Sequence, residues 1–439
     1  MSALLILLFF FTLVIIGVPV AYSFGFSSLI YIFVVLAENS SVLITRSFGA
    51  IDSFALMAIP FFIFAGDIMK EAKISNHLIN FLSIFTRKIK GALSHLTVIA
   101  STFFGAISGS SAATVAAIGG VMIPEMVKKG YDRNFAVAIA AASGFLGILI
   151  PPSVPLIVYG LNAEVSVSRL FLGGIVPGLL MALGFMLVNH FSIKKYKLTD
   201  NIDELANDEI ENEQSKQKKR KNTSLIFPAI PAILMPLVIL GGIYSGIFTP
   251  TESGAIAVVY GILAAFFYYK SITGKKLLQI AGRSAVTSAV ILIMVSLAGV
   301  FGYIITVERL PSFLAETILA WTNNMMVILL LLNIIYLILG TFMETITAII
   351  ITTPIFLPLV QMIGIDLVHF GIIQTTNLCI GLITPPMALN LLMASKIANV
   401  SVMKATKPLL PYLFVSIVVL VLVTYVPEIT LFLPNLLLN

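Results

Sequence analysis

Runs of about 20 apolar residues recur along this chain, among them 170–193, 225–246, 285–305 and 409–426. A bilayer core about 30 Å thick asks a spanning helix for about this length. Such runs cannot all be hidden inside a soluble globule, whose exterior must face water. Composition agrees, with 59% of 439 residues hydrophobic and 10% charged. Soluble domains carry about 25% charged residues. The solvent is therefore read as mostly lipid, and the fold as all-α and polytopic. A secreted disulfide scaffold, a disordered chain and an ordinary cytosolic enzyme are excluded. Cys379 is the only cysteine, so no disulfide closes within the chain. The first residues are apolar without the basic segment of a secretory signal, and read as the first membrane helix.

Further spans are expected at 3–20, 22–36, 54–69, 135–160, 254–269 and 371–394. Gly17 and Pro19 mark either a turn or a kink. Two long apolar stretches, 95–126 and 326–362, are broken by Gly, Ser, Thr and Pro. Each is either two spans or one re-entrant helical hairpin. Charge chooses between these. Of 26 Lys and Arg residues, all but Arg46, Arg169 and Arg309 fall within 70–90, 128–133, 194–221, 270–283 and 396–407. Cytoplasmic loops carry such an excess. The clusters share one side only if each broken stretch returns to its own side. The first hairpin then enters from the cytoplasm and the second from the opposite face, with both termini outside. The net charge of +6 thus marks a membrane face and not a nucleic-acid partner.

The stretch 194–224 is the one long polar segment, basic, then acidic, then basic, and reads as a cytoplasmic linker. It divides the chain into halves, 1–193 and 225–439, and the halves repeat. A shift of 234 residues lays Pro124 on Pro358, Gly130 on Gly364 and Asp132 on Asp366. The same shift lays Gly147 on Gly381 and Pro151 and Pro152 on Pro385 and Pro386. Each half reads as hairpin, short turn and a helix broken by Pro-Pro. The charge pattern puts the two copies in opposite orientations, as in secondary transporters with a site near the midplane. Two amphipathic segments, 72–90 (Ile74, Leu78, Leu82, Phe85, Ile89) and 307–324 (Leu310, Leu314, Ile318, Trp321), read as interfacial arms or as plain amphipathic loops.

Chemistry is sought where helices break. Gly105, Ser108, Gly109, Ser110, Ser111 and Thr114 serve either close helix packing or an oxygen cage for a hard cation. Pro151 and Pro152 interrupt their helix, because proline lacks the donor and clashes with the preceding turn. The carbonyls from Gly147 to Ile150 lose partners there. Read alone this is a simple kink; the register with Gly381, Thr384, Pro385, Pro386 and Met387 gives it a shared purpose. The second hairpin carries Gly340, Thr341, Glu344, Thr345 and Thr347. Glu344 is taken as the only carboxylate within the hydrocarbon, which makes it a functional candidate. Its alternative is a cap satisfied by backbone amides at a helix N-terminus. Asn390 follows the second Pro-Pro and faces the same region. With carboxylates scarce and no histidine placed at membrane depth, a proton relay lacks its parts. Sodium held by neutral oxygens is favoured, and an anion would meet half-helix N-termini. No nucleophile elbow, phosphate loop or metal-ligand spacing of His77, His95, His190 and His369 supports an enzyme.

Residues 109–126, 150–160 and 384–395 closely resemble the signatures of the large membrane subunit of TRAP transporters. The likeness runs over nearly the whole chain, although the polar linker is longer and more charged than that family suggests. The resemblance implies an elevator transporter of two inverted repeats in a bacterial inner membrane. It implies a small membrane subunit forming a heterodimer, for which 439 residues leave no room. An extracytoplasmic binding protein would deliver an organic acid, sialic acid or a C4-dicarboxylate, and sodium would drive import. One sodium would sit between Ser108, Ser110 or Ser111 and the break Gly147, Ile150, Pro152. The second would sit between Thr341, Thr345 and the break Gly381, Thr384, Met387. Ser153, Glu344 and Asn390 would meet the substrate. Proton coupling, an ion channel or a purely structural membrane component are the rival readings.

Overall fold

Backbone amides and carbonyls in hydrocarbon have no water to bond, so spanning segments must satisfy them internally. The computed structural model, which describes residues 2–36, 40–196 and 223–438, answers with helices, and no strand occurs among the described residues. Seven helices are long and apolar enough to cross a membrane, or up to nine if each bent pair is one span, among the described residues. Of the polar linker at 194–224, positions 197–222 lie outside the described residues.

The first half opens with α1 (Ser2–Ile15), α2 (Val20–Tyr31), α3 (Ser40–Ile51) and α4 (Ala58–Glu71), followed by an arm, α5 (Ile74–Thr86). The first hairpin is α6 (Ala92–Ser108) and a return arm, α7 (Ser111–Thr114), which runs through a π-helical turn into α8 (Gly120–Lys128). The broken helix is α9 (Arg133–Gly144), α10 (Leu146–Leu149) and α11 (Val154–Asn162), and α12 (Val167–Tyr196) closes the half. The second half runs α13 (Thr223–Tyr244), α14 (Pro250–Leu263), α15 (Gly274–Val307) and the arm α16 (Leu310–Trp321). Its hairpin is α17 (Met325–Phe342) and α18 (Thr345–Met362), and its broken helix is α19 (Leu367–Gly381) and α20 (Leu389–Ala398). α21 (Val402–Tyr425) and α22 (Glu428–Leu437) end the chain.

Local geometry matches at the paired turn positions. Gly130 and Gly364 both take positive φ, at 86° and 74°. Asp132 and Asp366 both cap the next helix, their Oδ1 atoms accepting the amides of Phe135 and of Val368 and His369. Both arms follow a cationic residue in the left-handed region, Lys73 before α5 and Arg309 before α16. Both proline pairs lie at breaks between helices.

Several expected boundaries move. The first apolar stretch is two helices that part at Gly17 (φ 96°), earlier than residue 20. α15 is 34 residues long, or about 50 Å at 1.5 Å per residue. It therefore overshoots the expected span 285–305 and carries Lys275, Lys276 and Arg283 outside it. Its start is set by Thr273, whose Oγ1 accepts the Lys276 amide. α3 was hidden in the sequence by Ser40, Ser41, Thr45, Arg46 and Ser47. It lies on α15, with the Arg46 guanidinium 4.3 Å from the centre of the Tyr303 ring. α22 packs on α12, where Arg169 donates to Asn435 Oδ1 at 2.8 Å. Two of the three cations outside the clusters thus have local partners.

Packing separates an outer group from an inner one. In the outer group α4 lies against α14, and α15 against α2, α3 and α4. The inner group interleaves the halves, α9 packing on α20 and α21, and α11 on α18. The arms run between them: α5 touches α13 and α6, while α16 touches α15 and α18.

Within the inner group each hairpin meets its own broken helix backbone to backbone. A Cβ on Gly105 of α6 would lie 2.5 Å from Gly147 Cα. A Cβ on Gly381 of α19 would lie 2.2 Å from the carbonyl carbon of Gly340 in α17. Neither neighbour is a side chain that can swing away. Gly381→Ala should therefore destabilise the protein by about 1–3 kcal/mol or more through overpacking. Gly241→Ala, in α13 with nothing within 4 Å of its new methyl, should be close to neutral. Thermal unfolding in detergent compares the two.

Candidate functional site

The glycine contacts seat each hairpin tip on its own break. Gly109 ends α6 in the left-handed region (φ 60°), and a Cβ there would meet the Pro152 carbonyl oxygen at 2.6 Å. The Val154 amide donates to Gly109 O at 3.4 Å. Three oxygens gather behind this tip. Thr114 Oγ1 donates to Ser110 O at 2.8 Å and lies 3.2 Å from Ser108 Oγ, itself 3.4 Å from Ser110 O. Gly147 borders them, since a Cβ on it would sit 2.4 Å from Thr114 Oγ1. Ser110 Oγ accepts the Ala113 amide and starts α7. Ile150 turns its side chain onto Gly178 of α12.

The second tip is built differently. Glu344 caps α18, its Oε2 accepting the amides of Ile346 and Thr347 at 2.9 and 3.3 Å. The capping role weighed for Glu344 is therefore present, yet the carboxylate is also exposed to the cavity described below. Thr345 is fully buried and its hydroxyl has no hydrogen-bond partner among the described residues. An unsatisfied buried hydroxyl is costly. The hydroxyls of Thr341 and Thr384 donate to Ile338 O and Ile380 O at 2.7 and 2.8 Å. Each keeps acceptor lone pairs free for another ligand. A pocket of about 160 Å³ runs between Thr341, Glu344 and Met387.

A cavity of about 200 Å³ lies where the two halves meet. Ser108, Ser110 and Ser111 line it from the first tip, and Glu344 and Ile346 from the second. Val154 and Pro155 line it from the first break, and Leu382, Leu389 and Asn390 from the second. Four helices, α7, α11, α18 and α20, begin at its wall. Helix N-termini carry partial positive charge, which favours an anion; at α18 the Glu344 carboxylate already meets that charge. No Lys, Arg or His is among the lining residues. Asn390 ties the halves together: its Oδ1 accepts Ser111 Oγ at 2.8 Å, and its Nδ2 donates to Ala141 O of α9 at 3.2 Å.

Ser108, Ser110, Ser111, Glu344 and Asn390 thus converge on one cavity, and Gly147 and Gly381 stand at the contacts that build it. Ser153 does not reach the cavity wall. It is buried, and its Oγ accepts the Leu156 amide as the cap of α11. The structure gives Thr114 of the small-residue motif a definite place and adds Asp67, which the sequence reading missed. Thr114 joins the oxygens of the first tip. Asp67 of α4 lines the cavity from the outer group, its Oδ2 accepting Ser284 Oγ at 2.6 Å. Glu344 is therefore not the only carboxylate at this depth. The signal was an ionisable residue inside the span 54–69, masked by the polar end that starts at Lys70.

Two of the four histidines are buried inside the protein. His369 is buried in α19, Nδ1 2.7 Å from Thr430 Oγ1 and Nε2 3.3 Å from Thr424 O. His95 is buried in α6. Neither lines the cavity or the smaller pocket.

Comparison with known proteins follows this geometry. The family model for the tripartite ATP-independent periplasmic transporter DctM component matches residues 7–429. The isethionate TRAP transporter permease DctMQ of Oleidesulfovibrio alaskensis is 39% identical over 424 residues. That alignment covers 97% of this chain and 65% of the relative, so the chain spans about two thirds of its length. The sialic acid TRAP transporter large permease SiaM of Vibrio cholerae is 34% identical over 423 residues, 96% of each protein. The crystal structure of the Alcanivorax borkumensis YdaH transporter shares the fold, with a TM-score of 0.60 at 15% identity over 87% of this chain and 86% of that one. From the family match over nearly its whole length and these identities, this chain belongs to the DctM component family of tripartite ATP-independent periplasmic transporters, as a multi-pass membrane permease and not an enzyme.

Proposed function

We propose that this chain imports a small organic anion across a bacterial inner membrane, driven by sodium. It acts as the large permease beside a small membrane subunit and an extracytoplasmic binding protein. The observation that carries this reading is the cavity bounded by both hairpin tips and both helix breaks. The N-termini of α11 and α20 attract an anion there, while the lining side chains offer no cation. The remaining neutralising charge falls to bound ions. Hydroxyl and carbonyl oxygens suit a hard cation, and unwound segments of transporter helices commonly coordinate sodium.

The first sodium is assigned to Ser108, Ser110, Ser111, Thr114 and the break at Gly147, Ile150 and Pro152. The second is assigned to Thr341, Thr345 and the break at Gly381, Thr384 and Met387. The orphaned Thr345 hydroxyl supports the second assignment. Glu344 and Asn390 meet the anion, and Ser153 orients α11, whose N-terminus faces it. The relatives named for isethionate and sialic acid support the substrate class. The matched turns and caps support two repeats, and the cationic clusters give those repeats opposite orientations. In that frame α1–α4 and α13–α15 stay fixed, and the inner group slides as an elevator on the arms α5 and α16.

Three measurements test this. Proteoliposomes holding both membrane subunits, supplied with the binding protein, should accumulate substrate only under an inward sodium gradient. Equal uptake from a proton gradient without sodium would favour the proton-coupled alternative, and conductance without the binding protein would favour a channel. Ser111→Ala and Thr345→Ala should each raise the sodium concentration for half-maximal uptake about three- to tenfold, the worth of one lost polar contact. An unchanged sodium dependence in both removes these residues from the cation sites. For topology, Lys275→Cys and Glu164→Cys in a Cys379→Ser background should react with impermeant thiol reagents from opposite sides, Lys275→Cys from the cytoplasm. Labelling of both from one side would refute the orientation.

A further inference from the structure

The cavity holds a feature that an anion site does not need: two carboxylates. Asp67 enters from the outer group and Glu344 from the inner one. Each is tethered through one oxygen. Asp67 Oδ2 accepts the Ser284 hydroxyl at 2.6 Å, and Glu344 Oε2 accepts the amides that start α18. The other oxygen of each makes no hydrogen bond among the described residues.

Arg283, whose charge also reaches Asp67, is paired with Glu71. One turn beyond Asp67, Glu71 takes both Lys276 Nζ at 2.9 Å and Arg283 at 2.7 Å. Asp67 is left with a hydroxyl partner and an open acceptor on the cavity wall. α4 presses against the first tip at this level, since a Cβ on Gly66 would lie 3.2 Å from Ser108 Cα. A ligand seated at the tip is thus beside Asp67. An ionised carboxylate can only accept hydrogen bonds. In a partly dry cavity it repels a second negative charge on the ligand, and it favours a ligand that brings a donor.

We propose that Asp67 is a specificity-determining residue, accepting a hydrogen bond from a hydroxyl or amino group of the transported anion. The substrate is then a hydroxylated or amino-bearing monoanion, and an unsubstituted dicarboxylate is disfavoured. The acidic group of the ligand faces the N-termini of α11 and α20, and its donor faces α4. This inference rests on the transport reading of the cavity.

The test uses the full chain purified in detergent with sodium, and reads stabilisation against heat by matched probes. Isethionate is compared with ethanesulfonate, malate with succinate, and N-acetylneuraminate is added as a larger hydroxylated monoanion. Hydroxylated probes should act at about tenfold or more lower concentration than their deoxy partners. Asp67→Asn should shrink that ratio below about threefold and improve the response to succinate. Ser284→Ala, which removes the tether and keeps the charge, should leave the ratio within about twofold. The proposal is overturned if wild type does not discriminate, if discrimination survives Asp67→Asn, or if Ser284→Ala matches Asp67→Asn, as a merely structural role requires. If no probe stabilises the protein in sodium, the transport reading of the cavity itself falls, and this inference falls with it.

Discussion

Hydrocarbon offers no hydrogen bonds, so every interruption of a helix in this chain has to be completed by another piece of the same chain. The architecture follows from how the four interruptions are completed. Each hairpin tip is brought to a broken helix by a glycine-to-glycine contact, Gly105 with Gly147 and Gly340 with Gly381. The caps do the rest. Ser110 starts α7, Ser153 starts α11 and Glu344 starts α18 by accepting the amides exposed there. Residues that look like substrate ligands in the sequence thus have a first duty to the backbone. For Ser153 that duty takes its hydroxyl out of the cavity. For Glu344 it takes one oxygen and leaves the other.

Much of this was legible in the sequence, because the strongest signals were backbone signals. Proline pairs, turn glycines and capping aspartates depend on local geometry, and they match between the halves although side-chain identity is low. The helices over 95–126 and 326–362 begin and end within a few residues of those stretches. Side-chain placement was less legible. Thr114 was read as part of a small-residue motif, and only the fold of α7 onto α6 brings its hydroxyl between Ser108 and Ser110. Asp67 sits one turn from Lys70 and Glu71, and a carboxylate at the end of an apolar run reads as interfacial. Its role at the cavity depends on α4 crossing the first tip, a long-range contact that no local pattern encodes. α3 was missed because five polar residues interrupt it, and its neighbour α15 supplies the cover, with Tyr303 receiving Arg46.

The distribution of charge follows a single logic. On the proposed reading the cationic clusters mark one membrane face, and no Lys or Arg lines the cavity, where it would bind an organic anion too persistently to let it leave. Within the cavity, attraction comes from helix ends, which are fixed partial charges, and on the proposed reading from sodium ions, which can depart. An anion held this way loses its partners when the ions dissociate. The carboxylates hasten that loss, since they repel a ligand whose counter-ions have gone.

The cavity also constrains what can move. Asn390 bonds Ser111 of the first hairpin and Ala141 of α9, and Tyr159 of α11 donates to Leu367 O at the start of α19. These bonds join the halves inside the inner group, so displacing one half alone would break buried polar contacts. The contacts between inner and outer groups are of another kind. Gly66 lies against the Ser108 backbone, and Thr347 meets the sulfur of Met294 at 3.1 Å. On the proposed reading, a small residue and a polarisable thioether make a face along which the inner group can move with little loss. On the proposed reading, a ligand that touches Asn390 on one side and Asp67 on the other spans this sliding face. Its hydrogen bond to Asp67 holds the inner group in register until it is broken, so substrate recognition and movement draw on the same contact.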